Sequence, residues 1–169
     1  MNNFEFEHNG KKLWYSRAVA VVGLILAHDY IWDWYVLANK RGKNTPDFQG
    51  CWSLPCGYLD FNETCEEAII REIFEETGLK IPDNNYLSLI GIDSIPAGRQ
   101  NVTIRFKCNM MDDITTLKLT NKNADEGEVD EARWINLREA SSFNWAFNHL
   151  QLISTYWNEP PEVPKKINK

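Results

Sequence analysis

No stretch of this chain is apolar for long enough to span a membrane as a helix. The longest run, Ala18 to Ala27, falls well short of the roughly 20 residues a bilayer demands. Positive charge is also scarce. Lys and Arg total 18 against 24 Asp and Glu, for a net charge of −6, so the chain lacks the basic field that holds nucleic acid non-specifically. Cysteine is sparse and unpaired in spacing: Cys51, Cys56, Cys65 and Cys108 form no CxxC, and His8, His28 and His149 supply no zinc pattern. That excludes a disulfide framework or a zinc ribbon and reads as reduced thiols in a cytoplasmic protein. Asn2, Asn3, Glu5 and Glu7 interrupt any apolar region at the start, so no signal peptide is expected. Internal repeats and low-complexity segments are absent. The expected partner is a small molecule, with neither nucleic acid nor membrane.

What is present is a globular composition. At 169 residues and 43% hydrophobic, the chain is long enough to close one core. We read a single domain over 1–158, opening with a hairpin over 1–16 and followed by a mobile tail over 159–169. Phe4 to Glu7 alternates, Asn9-Gly10 marks a tight turn, and Lys12 to Ser16 returns. Arg17 to Ala27, rich in Val and Leu, reads as a buried central strand. His28 to Asp33 is a turn and Trp34 to Lys40 the next strand. Arg41 to Gly50 is a polar loop. Tyr86 to Ser94 and Val102 to Cys108 read as strands, Met110 to Leu119 as a further short one, and Ala132 to Ile135 as apolar again. Apolar residues recur at helical spacing from Phe143 to Trp157, which predicts a C-terminal helix packed on the sheet. A mixed sheet with one helix on each face is an α/β three-layer α/β/α sandwich.

The stretch Gly57 to Leu79 carries the chemistry. Thr64 to Thr77 reads as a helix that Gly78 stops with a residue free to take positive φ. At about 100° per residue, Glu72, Glu75 and Glu76 share one side, while Ile69, Ile70 and Ile73 face a core. Like charges at i, i+3 and i+4 are destabilising by a few tenths of a kcal/mol per pair, which calls for a compensating cation. Carboxylate oxygens suit a hard divalent ion, and Mg²⁺ takes one or two of them plus substrate phosphates.

Gly57, Glu63, Arg71, Glu72, Ile73, Glu75, Glu76, Gly78 and Leu79 stand at the spacing Gly, five residues, Glu, seven residues, Arg-Glu-aliphatic-any-Glu-Glu-any-Gly-aliphatic. This stretch resembles the Nudix box, and the resemblance implies the Nudix fold from about Arg17 to Leu152. Gly50, Trp52, Pro55 and Gly57 also resemble the family's lead-in, with Cys56 in place of the first glycine of a pair. The resemblance implies a hydrolase that splits the pyrophosphate of a nucleoside diphosphate derivative (nucleotide sugar, ADP-ribose, dinucleotide or nucleoside triphosphate) with Mg²⁺ or Mn²⁺. The alternative is a non-catalytic nucleotide-sensing module on the same fold.

Under that resemblance Glu72, Glu75 and Glu76 are metal ligands, with Gly57 contributing its backbone or a tight turn. Glu63 pairs with Arg71, which orients the glutamates, and Gly78 ends the helix. Glu128 is the first choice of general base, followed by Glu131 and Glu126. Arg41, Arg99 and Arg105 are candidates for phosphate, and Trp32, with Tyr30 and Trp34 beside it, for stacking on a base. Dimerisation is common in the family, and the hairpin's aromatics are the expected surface for a homodimer.

Overall fold

A computed structural model describes residues 3–96 and 100–157, leaving out the side chains of Met111 and Asp112. Strands β1 (Phe4–His8) and β2 (Lys11–Tyr15) form a separate two-stranded sheet. Asn9 and Gly10 both take positive φ (50° and 73°), as a tight hairpin whose turn follows the strand twist requires.

Seven strands build the main sheet: β3 (Val19–His28), β4 (Trp34–Arg41), β5 (Trp52–Ser53), β6 (Cys56–Tyr58), β7 (Leu87–Asp93), β8 (Val102–Asp113) and β9 (Val129–Asn136). Their order is β5-β4-β3-β8-β7, with β6 added to β3 and β9 to β4. Only β3 and β8 run parallel, so the sheet is mixed. Period-two alternation divides the central strand between two cores. Val21, Ile25 and Ala27 join Ile69 and Ile73 of α1 (Cys65–Thr77) on one face. Val22, Leu24 and Leu26 join Leu152 and Ile153 of α2 (His149–Trp157) on the other. This is the expected α/β sandwich.

Helix α1 is defined at both ends. Thr64 Oγ1 accepts from the Glu67 N–H at 3.2 Å and Glu67 Oε2 from the Thr64 N–H at 2.7 Å, a reciprocal capping box. Gly78 follows at φ 71° and donates its N–H to the Phe74 carbonyl at 2.8 Å.

Two expectations are corrected. The C-terminal helix covers His149–Trp157, not Phe143 onward. The Trp52 N–H donates to Asn144 O at 2.8 Å and the Ala146 N–H to Trp52 O at 2.7 Å, so long-range backbone bonding holds 144–146 against the sheet, and Phe147 then turns through φ 54°. Met110 to Leu119 is not a separate strand. β8 runs on to Asp113, whose side chain accepts from the Thr115 N–H at 2.8 Å and caps a 3₁₀ turn at Ile114–Thr116. The tail 159–169 lies outside the described residues.

Candidate active site

Arg71 is the hub of the acidic stretch. Its Nε and Nη2 donate to both carboxylate oxygens of Glu63 at 3.1 and 2.8 Å, a planar fork on a planar carboxylate. Its Nη2 also donates to Tyr58 O at 3.0 Å, and its Nη1 to Glu72 Oε1 at 2.7 Å and Glu75 Oε2 at 3.1 Å. Glu63 in turn accepts from the Asp60 N–H at 2.7 Å. One guanidinium thus ties the loop before α1, strand β6 and two helix glutamates together. The hydrogen bonds from Arg71 hold the Glu63 carboxyl below the usual range, and Glu63 above all holds Arg71 protonated far beyond its ordinary value.

Glu76 sits deepest, 3% exposed. The Cys56 N–H donates to its Oε2 at 3.0 Å, and the Asn39 side chain also hydrogen-bonds it. Burial, then the neighbouring Glu72 charge, push this carboxyl well above the normal range, and Glu128 adds further repulsion. Burial raises Glu72 as well, with Glu75 and Glu128 adding to the rise while Arg71 opposes it. Glu72 lies against β6 where residue 57 has no side chain: a Cβ on Gly57 would stand 2.0 Å from Glu72 Oε1. The glycine is therefore a requirement of space. Gly57→Ala is expected to leave the melting temperature within a few degrees, because a side-chain tip can swing away, yet to lower kcat by at least tenfold. Parallel melts and rate assays check this.

Beside β6 opens a cleft of about 1100 Å³. Cys56, Gly57, Tyr58, Glu126 and Glu128 line it, together with Arg41, Arg105, Phe48, Phe147 and His149 among others. The loop carrying Glu128 is stapled to the loop after β4. The Gly42 N–H donates to Glu128 O at 2.7 Å, the Asn44 N–H to Gly127 O at 2.9 Å, and Asn44 Nδ2 to Glu126 O at 2.7 Å.

The structure brings Glu72, Glu76 and Glu128 together and places Arg41 and Arg105 in the lining of the same cleft, with Arg41 pairing to Val129 next to Glu128. Two candidates are not brought in. Glu131 shares its face of β9 with Ile135, which packs in the α2-side core, whereas Trp134 packs on the α1 side. Glu131 is bound by Arg133 at 2.6 Å, whose guanidinium lies 5.2 Å from the centre of the Trp52 ring, so the sheet separates it from the helix glutamates. Trp32 stacks on His28 at 4.1 Å in the β3–β4 turn, while β3 meets β6 and the cleft at Ala20 to Val22, its other end. Arg99 lies outside the described residues.

Reading the sequence missed Asn39, Ser53 and His149. Asn39 is 1% exposed and accepts from Ser53 Oγ. The signal was a polar residue directly after the apolar run Val36 to Ala38 within one strand, which a core tolerates only when it is hydrogen-bonded.

Glu63, Glu72 and Glu75 share a single guanidinium, and Glu76 and Glu128 lie near enough to Glu72 to add their charge, which leaves a strong local excess of negative charge on hard oxygen donors. Among the described residues no three of His, Cys, Asp and Glu are arrayed to hold an ion; Arg71 and the Cys56 N–H already bond carboxylate oxygens there. The hard oxygen donors are nevertheless of the chemistry that a divalent cation takes.

Fold and cleft together define an α/β sandwich with a ligand-sized cleft beside β6, the strand against which Glu72 and Glu76 of α1 pack. The family model for the NUDIX domain matches residues 14–156. The chain belongs to the Nudix family. It is 47% identical over 85 residues to an ADP-ribose pyrophosphatase of Methanocaldococcus jannaschii, a match covering 50% of this chain and 44% of that one. The chain spans less than half the length of the first curated relatives it matches. Among solved structures, it resembles the NUDIX domain of Shewanella oneidensis NrtR complexed with ADP ribose, with TM-score 0.69, 22% identity, and coverage of 85% of this chain and 88% of that one. NrtR complexed with a 27mer DNA matches at TM-score 0.62 and 23% identity, over 80% and 58% of the two chains. No helix among the described residues is long and apolar enough to cross a membrane.

Proposed function

We propose that the chain is a divalent-metal-dependent pyrophosphohydrolase acting on a nucleoside diphosphate joined to a second bulky group, with ADP-ribose the leading candidate. The observation that carries this reading is the cluster of Glu72, Glu76 and Glu128 beside β6, where Glu76 takes the Cys56 N–H, Glu72 lies against Gly57 and the Glu128 charge bears on both. The likeness to the archaeal ADP-ribose pyrophosphatase supports it. So does the cleft's volume of about 1100 Å³, slightly above the usual range for ligand pockets (roughly 300–1,000 Å³) and so roomy enough for a substrate with two bulky halves.

Glu72, Glu75 and Glu76 would hold Mg²⁺ or Mn²⁺, which when bound neutralises the diphosphate and polarises its phosphorus. Glu128, exposed on its loop and adjoining both buried acids, takes the proton of the attacking water. Arg41 and Arg105 bring positive charge to the cleft lining. Arg71 keeps the helix acids and the preceding loop in register. The hairpin's exposed Phe4, Phe6 and Trp14 are the surface we propose for self-association, the small-molecule nucleotide being the main partner.

The test is release of nucleoside monophosphate from ADP-ribose, a nucleotide sugar, a dinucleotide and a nucleoside triphosphate, each with Mg²⁺ or Mn²⁺. ADP-ribose is expected to turn over fastest, and Glu128→Gln to reduce kcat by about 100-fold with KM little changed. Tight binding of ADP-ribose without product over hours would overturn the hydrolase in favour of the nucleotide-sensing module.

A further inference from the structure

His149 is the first residue of α2 and is 3% exposed. Its Nδ1 accepts from the Leu54 N–H at 3.0 Å. A nitrogen that accepts carries no proton, so the imidazole proton resides on Nε2 and the tautomer is set by the fold. Among the described residues Nε2 has no hydrogen-bond partner, yet it does not count among the sealed, unsatisfied polar atoms. The ring lines the cleft. A buried imidazole with a fixed donor facing a ligand cleft is a built contact. Burial, with Arg41 and Arg105 nearby, pushes its pKa down to about 3, so the donor stays uncharged at neutral pH.

Its surroundings say what it contacts. The Phe147 ring lies 5.1 Å from His149 and 4.8 Å from Phe48, which meets it edge-on. Both phenylalanines take φ 54°, a left-handed conformation uncommon for bulky residues and kept where the surroundings enforce it. Phe48 presents a ring that is 47% exposed. The cations here are already engaged: Arg105 is paired with Asp93 at 2.6 Å, and Arg41 donates its Nε to Asp47 O at 3.0 Å while lying 5.2 Å from the Phe147 ring centre. Asp47 and Asp93 match these two cations in number, so this part of the lining is aromatic and carries no net charge.

Extending the nucleotide reading above, we propose that this part of the lining is the nucleobase subsite, with the base against Phe48 and His149 Nε2–H donating to a ring nitrogen or carbonyl of that base. His149 is then a specificity residue that touches substrate away from the reacting phosphorus.

The test uses the full chain and AMP, which needs no turnover. Long-range ¹⁵N–¹H spectra of the free protein are expected to show a neutral His149 protonated on Nε2. Titration with millimolar AMP should shift those signals, whereas ribose 5-phosphate should leave them in place. His149→Asn keeps an acceptor for the Leu54 N–H but removes the donor, and should weaken AMP binding at least tenfold. His149→Gln restores a donor near the Nε2 position and should recover binding to within about threefold. The opposite tautomer, signals unmoved by AMP, or an equal response to ribose 5-phosphate would each overturn the subsite; the wild-type spectra decide the matter even if a variant fails to fold. AMP binding at His149 without hydrolysis of ADP-ribose leaves the subsite standing and removes the hydrolase. Turnover of ADP-ribose with His149 unmoved by AMP does the reverse.

Discussion

Glu76→Gln is expected to remove turnover while making the metal-free protein more stable. The two effects have one cause. Glu76 is almost wholly enclosed and its ionised form is penalised by burial and by the Glu72 charge. A carboxyl whose folded-state pKa lies above its unfolded value costs nothing below the unfolded value. It withdraws stability as pH rises from there toward the folded value. The stability gap between the glutamine variant and metal-free wild type is therefore expected to open from about pH 4.5 upward, while buried neutral His149 gives both proteins the opposite trend below about pH 6.5. Glutamine can still accept from the Cys56 N–H. It cannot supply the charge that a divalent ion needs, and a lost metal contact is worth several kcal/mol, so kcat should fall by roughly 100-fold or more. Melting curves at neutral pH in chelator should place the variant above wild type, and added Mg²⁺ should raise wild type while leaving the variant unmoved. A variant that melts lower in chelator, or that keeps more than a tenth of kcat, contradicts a shared cause.

Arg71→Lys is the second large effect, and here stability and activity fall together. The guanidinium spans Glu63, Glu72, Glu75 and the Tyr58 carbonyl at once. An ammonium retains the charge but cannot fork onto Glu63 while reaching the helix acids. The lost contacts are partly exposed, so the cost should be about 1–3 kcal/mol, less than for a fully buried pair. At about 2–4 °C per kcal/mol for a chain of this size, the melting temperature should drop by several degrees. With the helix acids and the Glu63 loop no longer held together, kcat should fall at least tenfold. An unchanged melting temperature would show that the fork is ornamental. A lowered melting temperature with full activity would show that it serves the fold alone.

Some of this architecture was legible from residues in line. Helix α1 declared itself because its determinants are local. A threonine cap with a glutamate three residues on, apolar spacing through Ile69 and Ile73, and a glycine stop each act within one turn of the chain. The hairpin was legible for the same reason, since Asn9-Gly10 carries its own backbone preference. The Glu63–Arg71 pair followed from the motif, and the structure joins them at 2.8 Å. The C-terminal helix was overextended because its first six expected residues obey the partner they meet, Trp52, and not their own periodicity.

The site divides along the same line. Local spacing was enough to name Glu72, Glu75 and Glu76, because a helix puts i, i+3 and i+4 on one side whatever it packs against. Spacing is silent on which residues from distant loops arrive beside them. The sequence ranked Glu128 ahead of Glu131 and Glu126 without placing any of them; the pleat of β9 sends Glu131 to the far face while the loop leaves Glu126 and Glu128 in the cleft. His149 and Leu54 are 95 residues apart, and Asn39 reaches Glu76 across the sheet-to-helix interface. A chain encodes its turns and helix faces by short-range sterics and hydrogen bonding. Which polar groups are buried together, and hence which are charged, depends on long-range packing that comes into being only when the layers close.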